Sequence, residues 1–372
     1  MSTSMTIWIY IDGESVQVII HPYPHLDEII ALLILECHGT TALLNKYCPD
    51  SILRLGVEGG PFDEHPDQHS GAGRKKGCCA TLVADALDLH NVAPWWDNLL
   101  KFCEFRDTGD LSNPKKPSAV ERAHPYDLYR LVNSSFRDLM FMANQESRDP
   151  TDEEQLAVIN DCKVLVHRAL SDDASFYRAT KDIREKSSQQ MIPGPEGKML
   201  KLVVVESNEW TVEKAARFNF SADITVQRNT SGHVHIFTRT SKHINLNDLA
   251  QALKIAEQNA EGDIRENDWN LLRGEGVFDD EDKWYRSKKQ HGQIHNGTER
   301  HNEYKPTLLS LHAIVGLIKL SLDTQLFQYD SCQQGKCLGK HKCSGMYHFG
   351  FQRCRAIRYK EMHEAKEQLA TS

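Results

Sequence analysis

Several things are scarce or missing in this 372-residue sequence. No apolar run approaches the roughly 20 residues needed to cross a bilayer, so no membrane partner is expected. Positive charge is not in excess: 44 Lys and Arg face 52 Asp and Glu, for a formal net charge of −8. That excludes global attraction to nucleic acid or anionic lipid and leaves only a local basic channel open. There is no internal repeat. The start, Met1-Ser2-Thr3-Ser4-Met5, has no basic region and no cleavable signal pattern, so a cytoplasmic location is expected. Gly71 to Gly77 is Gly- and Lys-rich but lacks the lysine and hydroxyl that close a nucleotide P-loop.

What remains reads as a globular chain long enough for two or three domains. Thr6–Ile11 alternates, with Ile7, Ile9 and Ile11 on one face. Asp12-Gly13 is a hairpin signal, and Val16–Ile20 is the return strand. A polar loop, 21–28, leads into a helix over 27–37, with Asp27 and Glu28 in its first turn. A further strand is predicted over 52–57 and helices over 78–89, 95–105, 126–143 and 151–186. Residues 111–124 read as a loop and 187–199 as a Pro- and Gly-rich linker. Beyond it, strands at 200–205, 222–227 and 233–238 precede a helix over 245–258, capped by Asn245, and another over 307–322.

The chemistry concentrates in three loops. Residues 21–28 hold His21, His25, Asp27 and Glu28; 58–69 hold Glu58, Asp63, Glu64, His65, Asp67 and His69; 104–110 hold Glu104, Asp107 and Asp110. Imidazole and carboxylate groups at the ends of strands are what one or two divalent ions need. The duller alternative is that His25 and Asp27 cap a helix while His21 is a core polar group. In the second half, His233, His235, His295 and Asn296 are candidate substrate contacts, or simply alternating strand positions. Trp95-Trp96 reads as packing rather than a base-stacking platform. Six of the ten cysteines, Cys37 to Cys162, read as reduced and mostly packing residues. Cys332, Cys337, Cys343 and Cys354 lack the Cys-x-x-Cys pairing of strong zinc motifs. A structural Zn²⁺ with a basic surround and packing thiols are both open for them.

His21-x3-His25-Leu26-Asp27-Glu28 resembles the first motif of the DHH-type phosphoesterases, in particular the branch of the melanocyte-proliferating-gene exonucleases. Gly59-Gly60-Pro61-Phe62-Asp63, the helix start Cys78–Val83 and Asp107-Thr108-Gly109 resemble later motifs in the same order. Asp223 to Thr238, which includes Arg228, resembles the Gly-His hairpin of the family's substrate domain. The signature Asp-His-His is absent: Asp63-Glu64-His65 or Asp67-Gln68-His69 stands in its place, and the preceding bridging Asp is missing.

The resemblance implies an α/β fold: a DHH-type, mostly parallel sheet domain flanked by helices over 1–186. A linker over 187–199, a smaller α+β domain over 200–325 and a Cys-rich extension over 326–372 would follow. It implies a metal-dependent phosphodiester hydrolase, a nuclease or exonuclease on single-stranded nucleic acid or small nucleotides. His21, His25, Asp27, Glu64 and Asp107 would hold one or two Mn²⁺ or Mg²⁺ ions. Asp27, Asp63, His65 and Asp107 would be catalytic, and Arg228, His233, His235, His295 and Asn296 would contact substrate. The alternatives are a degenerate nucleotide- or protein-binding member, or a zinc-dependent nucleic-acid adaptor. A homo-oligomer is open.

Overall fold

The computed structural model describes residues 4–48, 50–57, 59–63, 77–108, 119–262, 268–276, 283–287, 292–297, 305–323, 349–351 and 354, without the side chains of 105–127 and 269. It is a mixed α/β chain of two compact units, Met1–Ala174 and Ser175–Ser372. No helix among the described residues is long and apolar enough to cross a membrane.

In the first unit, strands β1 (Met5–Ile11) and β2 (Glu14–Ile20) form the expected hairpin, in register from Met5↔Ile20 to Ile11↔Glu14. Asp12 and Gly13 both take positive φ, +50° and +82°, as the two-residue turn that matches strand twist requires. The Asp12 carboxylate accepts from the Thr41 hydroxyl at 2.9 Å, which pins the turn to helix α2 (Thr41–Tyr47). β3 (Ile52–Arg54) pairs parallel to β2. The sheet is therefore mixed, with one antiparallel and one parallel pair among the described strands, where a mostly parallel one was expected. The hairpin explains this: a two-residue turn can only return the chain antiparallel.

Helix α1 (Leu26–His38) is the centre of this unit. Every residue from Leu26 to Leu35 is buried, so the helix is covered all round. Ile7, Ile9, Ile11, Val18 and Ile20 join it in one apolar core. α3 (Cys79–Ala86) and α4 (Leu89–Val92) follow, then α5 (Asp97–Thr108), α6 (Ala119–Gln145) and α7 (Asp152–Lys186). α1 packs against α3, α5 and α6. Trp96 is buried and donates its indole N–H to His38, in line with a packing role. Cys48 and Cys162 are buried too, and burial pushes both thiols up to about 11.

Two boundaries differ from expectation. Residues 104–108 continue α5 instead of opening a loop, because Leu99, Leu100, Phe102 and Cys103 give the segment a buried helical face. α6 begins at Ala119, so residues 119–124, expected as part of a loop, are its first turns, and it runs on through Pro125. Leu128, Val132, Phe136 and Leu139 supply its buried stripe.

The second unit is built on a six-stranded mixed sheet. Its strands are β4 (Ser188–Pro193), β5 (Met199–Glu206), β6 (Ile224–Arg228), β7 (Val234–Thr238), β8 (Tyr285–Arg286) and β9 (Gln293–His295). Their order is β4-β5-β6-β7-β9-β8, and only β5 and β6 run parallel, joined through α8 (Val212–Phe220). Residues 188–193, expected in a linker, are instead the edge strand β4, paired with β5 from Ser188↔Val204 to Pro193↔Met199. An edge position tolerates Pro193, whose missing N–H would break an inner ladder. α9 (Asn247–Glu261) and α11 (Leu311–Leu322) pack with Leu202, Val226 and Ile236 on one face. α8 packs with Val203 and Val205 on the other. A short helix, α10 (Trp269–Arg273), follows α9. Asn245 lies outside α9 as an Asx turn, accepting from the Asn247 N–H at 2.9 Å.

Candidate functional site

Two parallel strands deliver their carboxyl ends side by side, and that is where chemistry collects in the first unit. β2 runs into His21–His25 and then α1; β3 runs into Leu55–Asp63. Crevices at the carboxyl ends of parallel strands are the usual ligand sites of α/β sheets.

Glu28 organises the first loop. It is the third residue of α1, and its Oε2 accepts from the His25 N–H at 2.9 Å, one half of a capping box. Its Oε1 accepts from the His21 ring Nδ1 at 2.8 Å. Since the carboxylate accepts, the His21 proton sits on Nδ1 and Nε2 is the ring's ligand atom. The backbone of β3's extension is pressed against this carboxylate. Gly56 has φ +63°, and a Cβ there would stand 3.0 Å from Glu28 Oε1.

His25, Asp27 and Glu28 each offer a ligand atom within 4.8 Å of the others, with His25 exposed and both carboxylates buried. They are the one such group of three among the described residues. His25 and Asp27 also line a cavity of about 510 Å³, which Asn133, Phe136 and Arg137 of α6 line as well. Tyr23 meets Phe136 edge to face at 6.5 Å, and burial, then the charge of Asp149, raises its hydroxyl pKa.

The other expected ligands fare differently. Asp63 is buried, but its Oδ2 accepts from the Gly59 N–H at 2.8 Å, so it closes its own turn and is not one of the trio. Asp107 lies in the last turn of α5, not in a loop, and its side chain is outside the described residues. Glu64, His65, Asp67, Gln68 and His69 are outside them as well. Glu28 lies in the first loop but was not among the expected ligands. The His-x-x-Glu spacing was its signal, disguised because histidine is an unusual cap. Asn133 and Arg137 gave no signal, being more than a hundred residues away.

In the second unit, Asn296 is a structural tie rather than a substrate contact. It is fully buried, donates to the Lys283 and Lys305 carbonyls at 2.8 and 3.2 Å, and accepts from the Thr307 N–H at 2.8 Å. A buried amide whose bonds are spent on backbone has nothing left to offer a ligand. His233 Nδ1 contacts the Asn296 carbonyl at 2.9 Å. His235 and His295 face each other across β7 and β9, with their Nδ1 atoms 2.9 Å apart. Burial is the main cause that pushes both down to about 4, helped for His235 by His233 and for His295 by His235. Arg228 lies elsewhere, in a cavity of about 540 Å³ with Lys186, Glu206 and Glu209. Cys354 is buried in the apolar core beside Phe351, while Cys332, Cys337 and Cys343 are outside the described residues.

No family model matches this chain, and no curated protein matches it. Among solved structures, the crystal structure of an uncharacterized protein from Helicobacter pylori G27 is 12% identical, over 72% of this chain and 73% of that one, at a TM-score of 0.21. A likeness that weak carries no argument about fold or function, so any functional reading rests on the residues.

Proposed function

We propose that this chain is a divalent-cation-dependent phosphoesterase that works in the crevice at the start of α1. One observation carries the reading: an imidazole and two carboxylates, His25, Asp27 and Glu28, converge, and two of them, His25 and Asp27, line a cavity that Arg137 also lines.

The donor set fits a hard cation. Two carboxylates and an imidazole suit Mn²⁺ or Mg²⁺, and Glu28 Oε2 keeps a second lone pair beyond the His25 N–H it accepts, whereas Oε1 already accepts from both the His21 N–H and its ring. His21, oriented through Nδ1 by Glu28, is a fourth ligand in this reading. A bound cation would supply Lewis-acid stabilisation of phosphoryl charge and a more acidic water. Asp27 would hold the cation with one carboxylate oxygen and would accept a proton from water with the other. Arg137 grips the non-bridging phosphate oxygens, for which its fork of donors is suited. Tyr23 and Phe136 form an apolar wall that limits water. The substrate would be a phosphodiester, such as the end of a single nucleic-acid strand or a small nucleotide.

The test is Mn²⁺-dependent release of nucleotides from a short oligonucleotide, with metal content measured on the same protein. The proposal expects bound Mn²⁺ and turnover, both lost in Asp27→Ala; full activity in that variant sinks it. A second reading, binding without turnover, is favoured by the three hydrogen bonds already on Glu28, from the His21 N–H, the His21 ring and the His25 N–H. It predicts bound cation and ligand with no product.

A further inference from the structure

We propose that the outer edge of β1 is a docking surface for a second copy of this chain. The second copy adds its own β1 antiparallel, in a two-fold register centred on Trp8, and the two three-stranded sheets become one.

The hairpin decides which backbone groups are free. In its sheet β1 has β2 as its sole neighbour, so it is an edge strand. A two-residue turn makes its flanking pair, Ile11 and Glu14, a hydrogen-bonded one, and bonded and non-bonded pairs then alternate along the ladder. Met5, Ile7, Ile9 and Ile11 therefore spend their N–H and C=O groups on β2, while Thr6, Trp8 and Tyr10 turn theirs outward. Ile19 bears this out from the other side. It is the partner of Thr6, and its carbonyl accepts from the Leu55 N–H at 3.0 Å, away from β1. Among the described residues, Thr6, Trp8 and Tyr10 have no partner for these outward groups. Their side chains are exposed as well, Trp8 at 63% and Tyr10 at 71%.

What the edge lacks points to the occupant. Edge strands are usually blunted by charge, proline, a bulge or shortness. Among the other described edges, β4 is polar at its start and ends in Pro193, β3 has three residues and β8 two. β1 runs for seven residues with no charge, no proline and an unbroken register. On a chain of net charge −8, an uncharged strip is where a copy of equal charge approaches at least cost. The neighbouring positions of β2 that share its outer face, Ser15, Gln17 and Ile19, are uncharged too.

The strip is also its own complement. With the two-fold axis at Trp8, that residue lies opposite the second copy's Trp8, and Thr6 lies opposite its Tyr10. Three N–H and three C=O groups from each copy then find partners across the pair. Asp12 comes opposite Ser4, so no like charges meet. Such an isologous contact closes at two copies. Strand addition is a narrow contact, at the low end of interface sizes, so the dimer is reversible and depends on concentration.

The test is sedimentation equilibrium of the pure full-length protein over a range of concentrations, with amide hydrogen exchange read at the two ends of that range. A monomer–dimer equilibrium is expected. The Thr6, Trp8 and Tyr10 amides should exchange freely in the monomer and gain protection as the dimer forms, while Ile7 and Ile9 stay protected throughout. Trp8→Lys should raise the dissociation constant at least about 30-fold, the loss expected of an interface hot spot. Met191→Lys, on the exposed part of β4, should leave it unchanged. A monomer at every concentration overturns the proposal, as it would if the edge served an extended segment of another protein instead. A dimer whose three amides stay unprotected overturns it too. Should Trp8→Lys fail to fold, the exchange pattern of the wild type decides alone.

Discussion

The two histidine groups of this molecule are built in opposite ways. His21 and His25 sit on a loop before a helix, beside Asp27 and Glu28, and the cluster assembles within eight consecutive residues. His235 and His295 are sixty residues apart and meet because β7 pairs with β9; among the described residues their ring contacts are Phe237 and an amide, with no carboxylate. The first group brings carboxylates beside its imidazoles, as the proposed cation site requires, whereas burial holds the second pair neutral. Residue type alone assigns neither: surroundings decide what an imidazole is for.

The largest effect expected is on turnover. Asp27→Asn removes a buried charge from the trio with little change of shape, and phosphodiester hydrolysis is expected to fall at least about 100-fold, equivalent to about 2.7 kcal/mol. His295→Gln should leave that rate unchanged, and a shared loss would break the contrast between the groups.

Stability against pH comes next, and here the second group is the one to probe. His235 and His295 are held near 4, below the ordinary histidine value of 6.5. Above pH 6.5 both folded and unfolded chains carry neutral rings, so the pair adds no pH dependence. As pH falls from 6.5 towards 4, the unfolded chain takes up protons the folded one refuses, and stability is lost. The ceiling is roughly 3 kcal/mol per ring, less if the two titrate as a pair. Urea unfolding with a chelator present, at pH 7 and pH 5, should show the loss in wild type. It should be reduced in the double variant His235→Phe, His295→Phe.

A smaller effect is expected at Glu28. Glu28→Gln keeps an acceptor for the His25 N–H but loses the charge that orients His21, so Mn²⁺ affinity measured by calorimetry should fall roughly 10- to 100-fold. The smallest effect tests the backbone. Gly56→Ala forces a side chain into a left-handed conformation against Glu28, at a cost on the order of 1 kcal/mol in a thermal melt.

What the sequence made legible was local. The β1–β2 hairpin follows from alternation plus Asp12-Gly13, α1 from its apolar run, and the His21–Glu28 loop from ligand types packed into a few positions. Less visible were features set by pairing over distance. β4 hides behind polar residues and Pro193, because an edge strand needs neither a second buried face nor every N–H. Arg137 reaches the first site through the packing of α6. Asn296 looked like a ligand contact because a buried amide and a binding amide have the same one-letter code; only the accounting of its bonds separates them. Asp63 likewise kept its carboxylate for the Gly59 turn.

The central claim is that the trio at the start of α1 takes a hard cation and turns over a phosphodiester. Hydrolysis of bis(p-nitrophenyl) phosphate by the chelator-stripped full-length protein, titrated with Mn²⁺, measures this most directly. The account predicts a rate that saturates with Mn²⁺ in wild type and in His295→Gln and is abolished in Asp27→Asn. Equal rates in wild type and Asp27→Asn at every Mn²⁺ concentration would contradict it.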